Sequence, residues 1–334
     1  MMNNKWNLVA RPVGLPKATD FEWRSEELKP LEDGEIRVRN VYLSLDPANR
    51  VWMVRDSYMP MVPLGETMRG GGIGVVEESR NPKFEVGDVV QGLLCWQTYY
   101  TGPGKGFTKV PALGIPLAAH YGLFGHIGYT AYFGLLDIGA PKEGETLVVS
   151  AAAGAVGSLA GQIGKIKGCR VVGIAGTDEK CQWITHQLGF DAAINYKTEE
   201  LRAALKRHCP NGIDIYFENV GGATLEAVLH RMNDFGRIPA CGMVGSYNRT
   251  EPEPGPNNLF HIVTKRLKMQ GFIVIDYAAR FADARAELLQ WHQEGRLQYR
   301  LDINPGLENA PSVFLKLFNG SNTGKLLVQV GPES

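Results

Sequence analysis

Long hydrophobic runs, low-complexity segments and an excess of charge of either sign are all missing from this 334-residue sequence. Its longest apolar stretches, such as residues 146–156, are too short to cross a bilayer, and residues 1–6 lack the apolar core of a secretory signal. Lysine and arginine total 35, as do aspartate and glutamate. Because the formal charge is zero, we expect neither a membrane nor a nucleic acid as a partner.

Cysteine is scarce as well. The five cysteines are odd in number, scattered, and without a Cys-x-x-Cys pair: Cys95, Cys169, Cys181, Cys209 and Cys241. This pattern favours free thiols in a reducing compartment over a disulfide framework. We therefore expect a cytoplasmic protein.

The apolar pattern changes at about residue 120. Before it, residues 34–41 alternate apolar with polar, which predicts a half-buried strand, and glycine punctuates residues 71–77 and 87–93 as in small curved β-structures. After it, short apolar runs alternate with segments of helical spacing, which indicates a parallel sheet covered on both faces. Residues 324–330 return to a β pattern. The sequence predicts an α/β protein of two domains, because 334 residues exceed one usual core.

One strand-to-helix junction carries a cofactor motif. Residues 146–150 read as a strand, and Ala152-x-Gly154-x-x-Gly157 follows directly before a helical segment. A small first residue permits the tight turn, Gly154 lets the backbone approach a pyrophosphate, and Gly157 lets the helix pack on the strand. The amides at the start of the helix, with Ala155 and Val156 in its first turn, suit phosphate. We expect a dinucleotide site on a Rossmann-type, doubly wound sheet.

The end of the second strand indicates which dinucleotide is bound. An NAD enzyme places an acid about 20 residues beyond the glycines to hold the ribose 2′-hydroxyl, and this sequence has Thr177 there. Lys180 supplies the charge that a 2′-phosphate requires. Asp178 and Glu179 stand between them and suit a capping role in the first turn of a helix. We expect NADP(H); the alternative for Lys180 is a solvated surface lysine.

Several motifs together carry a family resemblance. They are Leu45-Asp46-Pro47 with Arg50, Ile127-Gly128-Tyr129-Thr130-Ala131-Tyr132, residues 149–157, residues 195–198, Glu218-Asn219-Val220-Gly221-Gly222 and residues 241–248. On these motifs the whole chain resembles the medium-chain dehydrogenase/reductase superfamily, and within it the branch of leukotriene B4 12-hydroxydehydrogenase/prostaglandin reductases, plant alkenal reductases and curcumin reductase. The resemblance implies a GroES-like β-barrel substrate domain over residues 1–120 and 301–334, and a Rossmann NADP-binding domain over residues 121–300.

The resemblance also implies individual site residues. They are Lys180 and Tyr196 at the 2′-phosphate and ribose, Asn219, Cys241 and Asn322 around the ribose and nicotinamide, and Tyr247 as an active-site tyrosine beside the nicotinamide ribose. From the residues alone, Tyr196 and Cys241 would be assigned to core packing. Asn219 and Asn322 would be assigned to turns.

The zinc ligands of the superfamily's alcohol dehydrogenases are missing. Where those enzymes place a ligating cysteine and a Gly-His-Glu motif, this sequence has Ser-Leu-Asp-Pro at residues 44–47 and Gly-Glu-Thr-Met-Arg-Gly at residues 65–70. Zinc requires three or four converging ligands, and Cys95, His120 and His126 lack such a spacing. We expect no metal site.

Without a metal, the residues favour reduction of the C=C bond of an enone. Hydride adds to the β-carbon, negative charge moves to the carbonyl oxygen, and the protein must donate a hydrogen bond to that oxygen and exclude water. Tyr247 is the first candidate donor. Tyr58 is the second, in a segment that resembles a substrate-lining loop, although an exposed loop tyrosine is the alternative. Residues that suit either an apolar pocket or core packing are Trp52, Met53, Met59, Met61 and Trp96.

We therefore predict an NADPH-dependent reductase of apolar α,β-unsaturated aldehydes and ketones. The alternatives are a quinone reductase on the same scaffold and a cofactor-binding protein without catalysis, against which Tyr247 argues. Residues 267–274 read as the last strand of the parallel sheet, whose edge stays open unless it is paired. The resemblance implies that two such edges join in a homodimer.

Overall fold

The computed structural model describes residues 1–251 and 254–333, which form two compact units. The first unit comprises Met1–His120, Leu301–Asn322 and Leu326–Ser334, and the second comprises Tyr121–Arg300 with Thr323–Lys325. Pro252, Glu253 and Ser334 lie outside the described residues.

Strands dominate the first unit and alternate with helices in the second. The strands are β1 (Met2–Leu8), β2 (Phe21–Glu27), β3 (Ile36–Ser44), β4 (Gly72–Ser79), β5 (Val89–Gly92), β6 (Tyr99–Gly102), β7 (Thr108–Lys109), β8 (Thr146–Val149), β9 (Arg170–Ala175), β10 (Ala192–Asn195), β11 (Ile213–Phe217), β12 (Met232–Ala240), β13 (Lys268–Gly271), β14 (Leu301–Pro305) and β15 (Lys325–Gln329). The helices are α1 (Pro47–Trp52), α2 (Ala119–Gly122), α3 (His126–Phe133), α4 (Ala155–Ile166), α5 (Asp178–His186), α6 (Leu201–His208), α7 (Gly222–Arg231), α8 (Phe260–Thr264), α9 (Phe281–Gln293), α10 (Ala310–Phe314) and α11 (Lys316–Asn319). Within the described residues, every helix is too short or too polar to cross a bilayer.

The second unit is built on a parallel sheet of order β10-β9-β8-β11-β12-β13. Strand β8 is buried along its whole length. Its Val148 belongs to a core with Ile194 and Leu205, which α6 and α7 complete. The order reverses between β8 and β11, and doubly wound sheets bind ligands at the carboxyl ends of strands beside such a reversal. The expected α/β class with a doubly wound parallel sheet is confirmed.

The first unit contains an antiparallel sheet in which β3 is central. Strand β3 pairs with β4, β6 and β15, and β1 pairs with β2 in a separate ribbon. The prediction of a half-buried strand at residues 34–41 was wrong, because both faces of β3 are covered. Its Arg37 is 6% exposed, and the guanidinium donates to the Glu78 carboxylate and the Lys29 carbonyl. Pairing of the buried charge explains why a polar residue here does not mark a solvent face.

The last parallel strand is shorter than its sequence pattern predicts. The apolar pattern continues to residue 274, but β13 ends at Gly271. Phe272 packs against Gly134, where a Cβ would lie 2.5 Å from the phenylalanine ring. Tyr277 stacks on Phe133, with 4.6 Å between the ring centroids. Phe272 and Tyr277, which follow Gly271, are only half-buried, and they therefore leave the sheet to pack their rings at the end of α3.

Candidate functional site

The turn between β8 and α4 carries the glycine motif. Its backbone is tightly folded: Ala151 has a φ of 49°, and the Gly154 amide donates to the Ala151 carbonyl at 2.8 Å. A Cβ on Gly157 would lie 2.4 Å from that same carbonyl oxygen. Ala152 is fully buried beneath the turn. Close packing of helix on strand therefore requires glycine at position 157.

The first turn of α4 offers backbone amides. Gly154 is the N-cap and provides no side-chain hydrogen bond to the helix. Ala155, Val156 and Gly157 form the first turn, and amides at this position have no acceptor within the helix and lie at the positive end of its dipole. This arrangement fits a phosphate group.

A segment from the far end of the chain runs beside the glycine turn. The Gly324 amide lies 3.3 Å from the Ala153 carbonyl, and Gly324 forms a parallel bridge with Gly154. Its φ is 68°, and a Cβ there would lie 2.2 Å from the Arg300 carbonyl oxygen, so glycine is required. Asn322, the predicted nicotinamide contact, ends the preceding segment, which belongs to the first unit.

The carboxyl ends of β9 and β10 bring together Gly176, Thr177, Lys180 and Tyr196, which we call the β9–β10 edge surface. Thr177 is the N-cap of α5, and its hydroxyl accepts from the Lys180 amide at 3.2 Å. The Tyr196 ring lies against Gly176, where a Cβ would be 3.1 Å from the ring. Tyr196 is 51% exposed, so its assignment to core packing was wrong. Thr177 and Tyr196 bring hydroxyl groups to this surface, and Lys180 adds a positively charged side chain to the first turn of α5. These groups suit a 2′-phosphate.

Glu218 directly follows β11 and is fully buried. One carboxylate oxygen, Oε1, accepts from the amides of Val220 and Gly221 at 2.6 and 3.0 Å, from the Tyr216 hydroxyl at 3.0 Å and from the Ser150 hydroxyl at 3.2 Å. The other oxygen, Oε2, is buried without a hydrogen-bond partner among the described residues. Burial raises the pKa of this carboxyl, although the donated hydrogen bonds oppose the shift.

No role for Glu218 was predicted from the sequence beyond its place in a motif. The carboxyl joins the end of β8 to the loop after β11, so it fixes two backbone segments at the reversal of strand order. The only sequence signal for this role is a lone acid directly after the apolar strand at residues 213–217.

Backbone hydrogen bonds join the loops after β11 and β12. The Cys241 amide donates to the Glu218 carbonyl at 2.9 Å, and the Val244 amide donates to the Asn219 carbonyl at 3.0 Å. The Asn219 side chain anchors its loop to β8 by donating to the Ser150 carbonyl at 2.7 Å. Burial and, secondly, the nearby Glu218 carboxyl raise the pKa of the Cys241 thiol to about 12. The thiol therefore stays protonated at neutral pH and is a poor nucleophile.

Tyr247 lies at the end of the same loop. It follows a short 3₁₀ turn, Val244–Ser246, and its hydroxyl accepts from the Met243 amide at 3.3 Å. Gly242 lies next to the phenol, since a Cβ there would be 3.4 Å from the hydroxyl and 3.6 Å from the Asn219 carbonyl oxygen. The structure thus brings Tyr247 and Asn219 to one end of the parallel sheet.

Tyr58 lies in the first unit, on the exposed segment after α1. It is 50% exposed, and its ring meets the edge of Trp52 at a centroid distance of 6.1 Å. Among the residues that suited either a pocket or the core, Trp52, Met53 and Trp96 are core residues of this unit, whereas Met61 is 39% exposed.

Comparisons with known proteins agree over the whole chain. Residues 4–110 match the family described as the N-terminal domain of oxidoreductase, and residues 155–292 match the family described as zinc-binding dehydrogenase. The chain is 45% identical to NADPH-dependent curcumin reductase of Escherichia coli, over 98% of this chain and 97% of the relative. It is 42% identical to the NADP(+)-dependent 2-alkenal reductase of Nicotiana tabacum, over 99% of both chains.

A solved structure gives the same picture. The crystal structure of CurA from Vibrio vulnificus in complex with NADPH superposes with a TM-score of 0.93 at 44% identity, over 98% of this chain and 99% of that one.

The zinc named in the second family description has no matching donor set here. Within residues 1–251 and 254–333, no group of three or more histidine, cysteine, aspartate or glutamate side chains could hold a metal ion. The residues therefore do not fit a zinc ion, because the metal requires three or four converging ligands.

Proposed function

Because the chain belongs to the zinc-independent branch of the medium-chain dehydrogenase/reductase superfamily that includes curcumin, 2-alkenal and prostaglandin reductases, we propose that it uses NADPH to reduce the C=C bond of α,β-unsaturated aldehydes and ketones. The choice of NADPH rests on the β9–β10 edge surface, and the reduction of a C=C bond rests on the relatives. On that surface, Thr177 stands where an NAD enzyme has an acid, with Lys180 and Tyr196 beside it.

The same proposal assigns the cofactor site. The pyrophosphate is held at the glycine turn by Ala152, Gly154, Ala155, Val156 and Gly157, and the 2′-phosphate by Thr177, Lys180 and Tyr196. Asn219, Cys241, Asn322 and Tyr247 contact the ribose and nicotinamide. The bound NADPH supplies a hydride to the substrate β-carbon.

The protein's own contribution to the chemistry is charge stabilisation. As hydride arrives at the β-carbon, negative charge develops on the carbonyl oxygen, and a preorganised donor lowers the barrier most at that atom. A tyrosine hydroxyl can accept one hydrogen bond and donate another. The Met243 amide fixes the Tyr247 oxygen through the accepting side. We assign the donation to Tyr247, with Tyr58 as the second candidate. The α-carbon of the enolate then takes up a proton, either from the Tyr247 hydroxyl, which regains one from solvent, or from solvent directly.

The proposal extends to the organisation of the protein. Residues 1–120 and 301–334 form the GroES-like substrate domain, and residues 121–300 form the NADP-binding domain. The enzyme is a cytoplasmic homodimer that acts on small apolar substrates without metal, membrane or nucleic acid. Five free thiols and a formal charge of zero support this environment.

An acceptor screen tests the proposed function. NADPH loss is followed with a simple enone such as 3-nonen-2-one, a long 2-alkenal, a simple quinone and a saturated ketone, and product analysis separates C=C from C=O reduction. We expect saturated carbonyl products from the first two acceptors, with turnover unchanged by a chelator. Faster turnover of the quinone than of any enone would show that the protein is a quinone reductase instead. No NADPH loss with any acceptor would leave a binding protein without catalysis.

A further inference from the structure

An acid stands inside the β9–β10 edge surface, where an acid is unexpected. Asp178 begins α5 and lies between Thr177 and Lys180 in the chain. It is exposed, as is Glu179. A carboxylate turned toward a 2′-phosphate would repel it, because like charges a few ångströms apart disfavour each other. The position of the Asp178 carboxylate therefore bears on which cofactor can bind.

The Asp178 carboxylate is held by the end of the neighbouring strand. Its Oδ1 accepts from the side-chain Nδ2 of Asn195, the last residue of β10, at 2.6 Å. Asn195 is only 6% exposed. A short bond between a buried amide and an exposed carboxylate directs the carboxylate toward β10.

The Asn195 amide has its orientation fixed by a second contact. Its Oδ1 accepts from the Lys197 amide at 3.1 Å, so Nδ2 must face Asp178. The backbone of Asn195 is fixed as well, because its amide donates to the Glu199 carboxylate at 2.9 Å. Asn195 is thus a rigid donor that precedes Tyr196 in the chain.

We propose that Asn195 is a specificity-determining residue that holds the Asp178 carboxylate away from the 2′-phosphate, so that this carboxylate does not offset the positive charge of Lys180 at the cofactor. The inference rests on the proposed function, since it presumes NADPH at this surface. Loss of the Asn195 amide frees the Asp178 carboxylate to approach Lys180 and the phosphate. NADPH affinity then falls, whereas NADH, which has a 2′-hydroxyl, is unaffected or gains an acceptor.

The test is a double-mutant cycle read as cofactor affinity. Dissociation constants for NADPH and NADH are measured by titration for the wild type, Asn195→Ala, Asp178→Asn and the double variant, without any substrate. We expect Asn195→Ala to narrow the NADPH/NADH affinity ratio about five- to thirtyfold. In the Asp178→Asn background the same change should alter the ratio less than about twofold, because no charge is released. Asn195→Ser replaces Asn195→Ala if the latter does not fold.

A matched control uses the neighbouring acid. Glu179→Gln also removes one exposed charge from the first turn, but the effect of Asn195→Ala should persist in full in that background. An equal loss in the wild-type and Asp178→Asn backgrounds would overturn the inference, because Asn195 would then act only by shaping the turn before Tyr196. A tenfold rise in the NADPH/NADH ratio for Asp178→Asn alone would also overturn it, since the carboxylate would already face the phosphate.

The controls separate this inference from the proposed function. A wild-type protein that binds NADPH no more tightly than NADH would contradict the proposed cofactor. It would also contradict the proposed specificity role of Asn195. A wild type that prefers NADPH, with no change of the ratio on Asn195→Ala or Asn195→Ser, contradicts only the role of Asn195.

Discussion

Tyr247 is the single residue on which the proposed chemistry depends most. Tyr247→Phe keeps the ring and removes the hydroxyl, so turnover of 3-nonen-2-one should fall about a hundred- to a thousandfold, the usual cost of one oxyanion donor. The phenylalanine ring still packs beside Gly242, so NADPH affinity should change little. Steady-state turnover and NADPH titration measure the two effects separately. Turnover equal to that of the wild type would show that Tyr247 is not the donor, and Tyr58→Phe would then test the second candidate.

Lys180 is the residue that we propose distinguishes the two cofactors. If its ammonium group makes a charge-assisted contact with the 2′-phosphate, Lys180→Ala should narrow the NADPH/NADH affinity ratio about ten- to a hundredfold. Lys197, an exposed lysine beside Tyr196, provides a matched control, and Lys197→Ala should leave the ratio nearly unchanged. Equal ratios for the wild type and Lys180→Ala in cofactor titrations would remove Lys180 from the site.

Individual contacts of the site differ in how far the sequence could predict them. The glycine spacing predicts the tight turn because the atoms involved, such as those of Ala151 and Gly157, lie within a few residues of each other. The hydrogen bonds of Glu218 with Ser150 and of Asn195 with Asp178 join residues 68 and 17 positions apart. Those pairings depend on which strands are neighbours, which a local pattern does not specify.

At the scale of elements, the helices and strands near the site follow their patterns closely, and β12 does not. Helical spacing over residues 156–167 predicts α4 with its ends shifted by one residue. The apolar run at residues 237–241 predicts a strand there, but β12 begins at Met232, five residues earlier. The early part is held by tertiary contacts: Asn233 donates to the Asp214 carboxylate at 2.7 Å, and the Phe235 amide donates to the Lys265 carbonyl at 2.7 Å. Polar contacts of this kind leave no periodic trace in the sequence.

An ion pair ties the start of β8 to β12. Arg237 donates to both carboxylate oxygens of Glu145 at 2.5 and 2.9 Å, and both side chains are largely buried. Burial alone would raise the pKa of Glu145, but hydrogen bonds from Arg237 and from the Lys142 amide outweigh it, so the net shift is downward. A carboxyl with a lowered folded-state pKa stabilises the fold above its unfolded-state pKa, and this contribution is lost as the pH falls through the folded-state value.

Glu145→Gln tests this pH dependence. At pH 7 the variant should be less stable by about 1–3 kcal/mol, because a charge-assisted pair becomes a neutral contact. The difference should begin to shrink as the pH falls below the ordinary glutamate pKa of about 4.3, and it should vanish below the lowered folded-state pKa, where the folded wild-type carboxyl is protonated as well. Chemical denaturation of the wild type and the variant, at pH 7 and at a pH below the folded-state pKa of Glu145, measures this difference in stability. Glu294→Gln, at the exposed pair with Arg296, is the control and should leave stability nearly unchanged. A pH-independent difference for Glu145→Gln would contradict the ionic explanation.

At the scale of the whole molecule, the described part of the parallel sheet ends at β13, which has one strand partner, β12. Helix α8 directly precedes it and carries Phe260 and Val263 at 71% and 66% exposure. An open strand edge beside exposed apolar side chains marks an association surface. We propose that a second copy of the chain covers both features, because a two-fold axis would place identical edges against each other.

Light scattering at micromolar concentration should therefore give twice the mass of one chain. Val263→Asp places a charge on this surface and should shift the mass toward the monomer, since burying an unpaired carboxylate in an interface costs more than the valine contact contributes. Val86, in the first unit, has nearly the same exposure at 67%, so Val86→Asp is a matched control that should remain dimeric. A monomeric wild type would contradict the dimer itself. A dimeric wild type that both substitutions leave intact would instead move the interface away from α8 and β13.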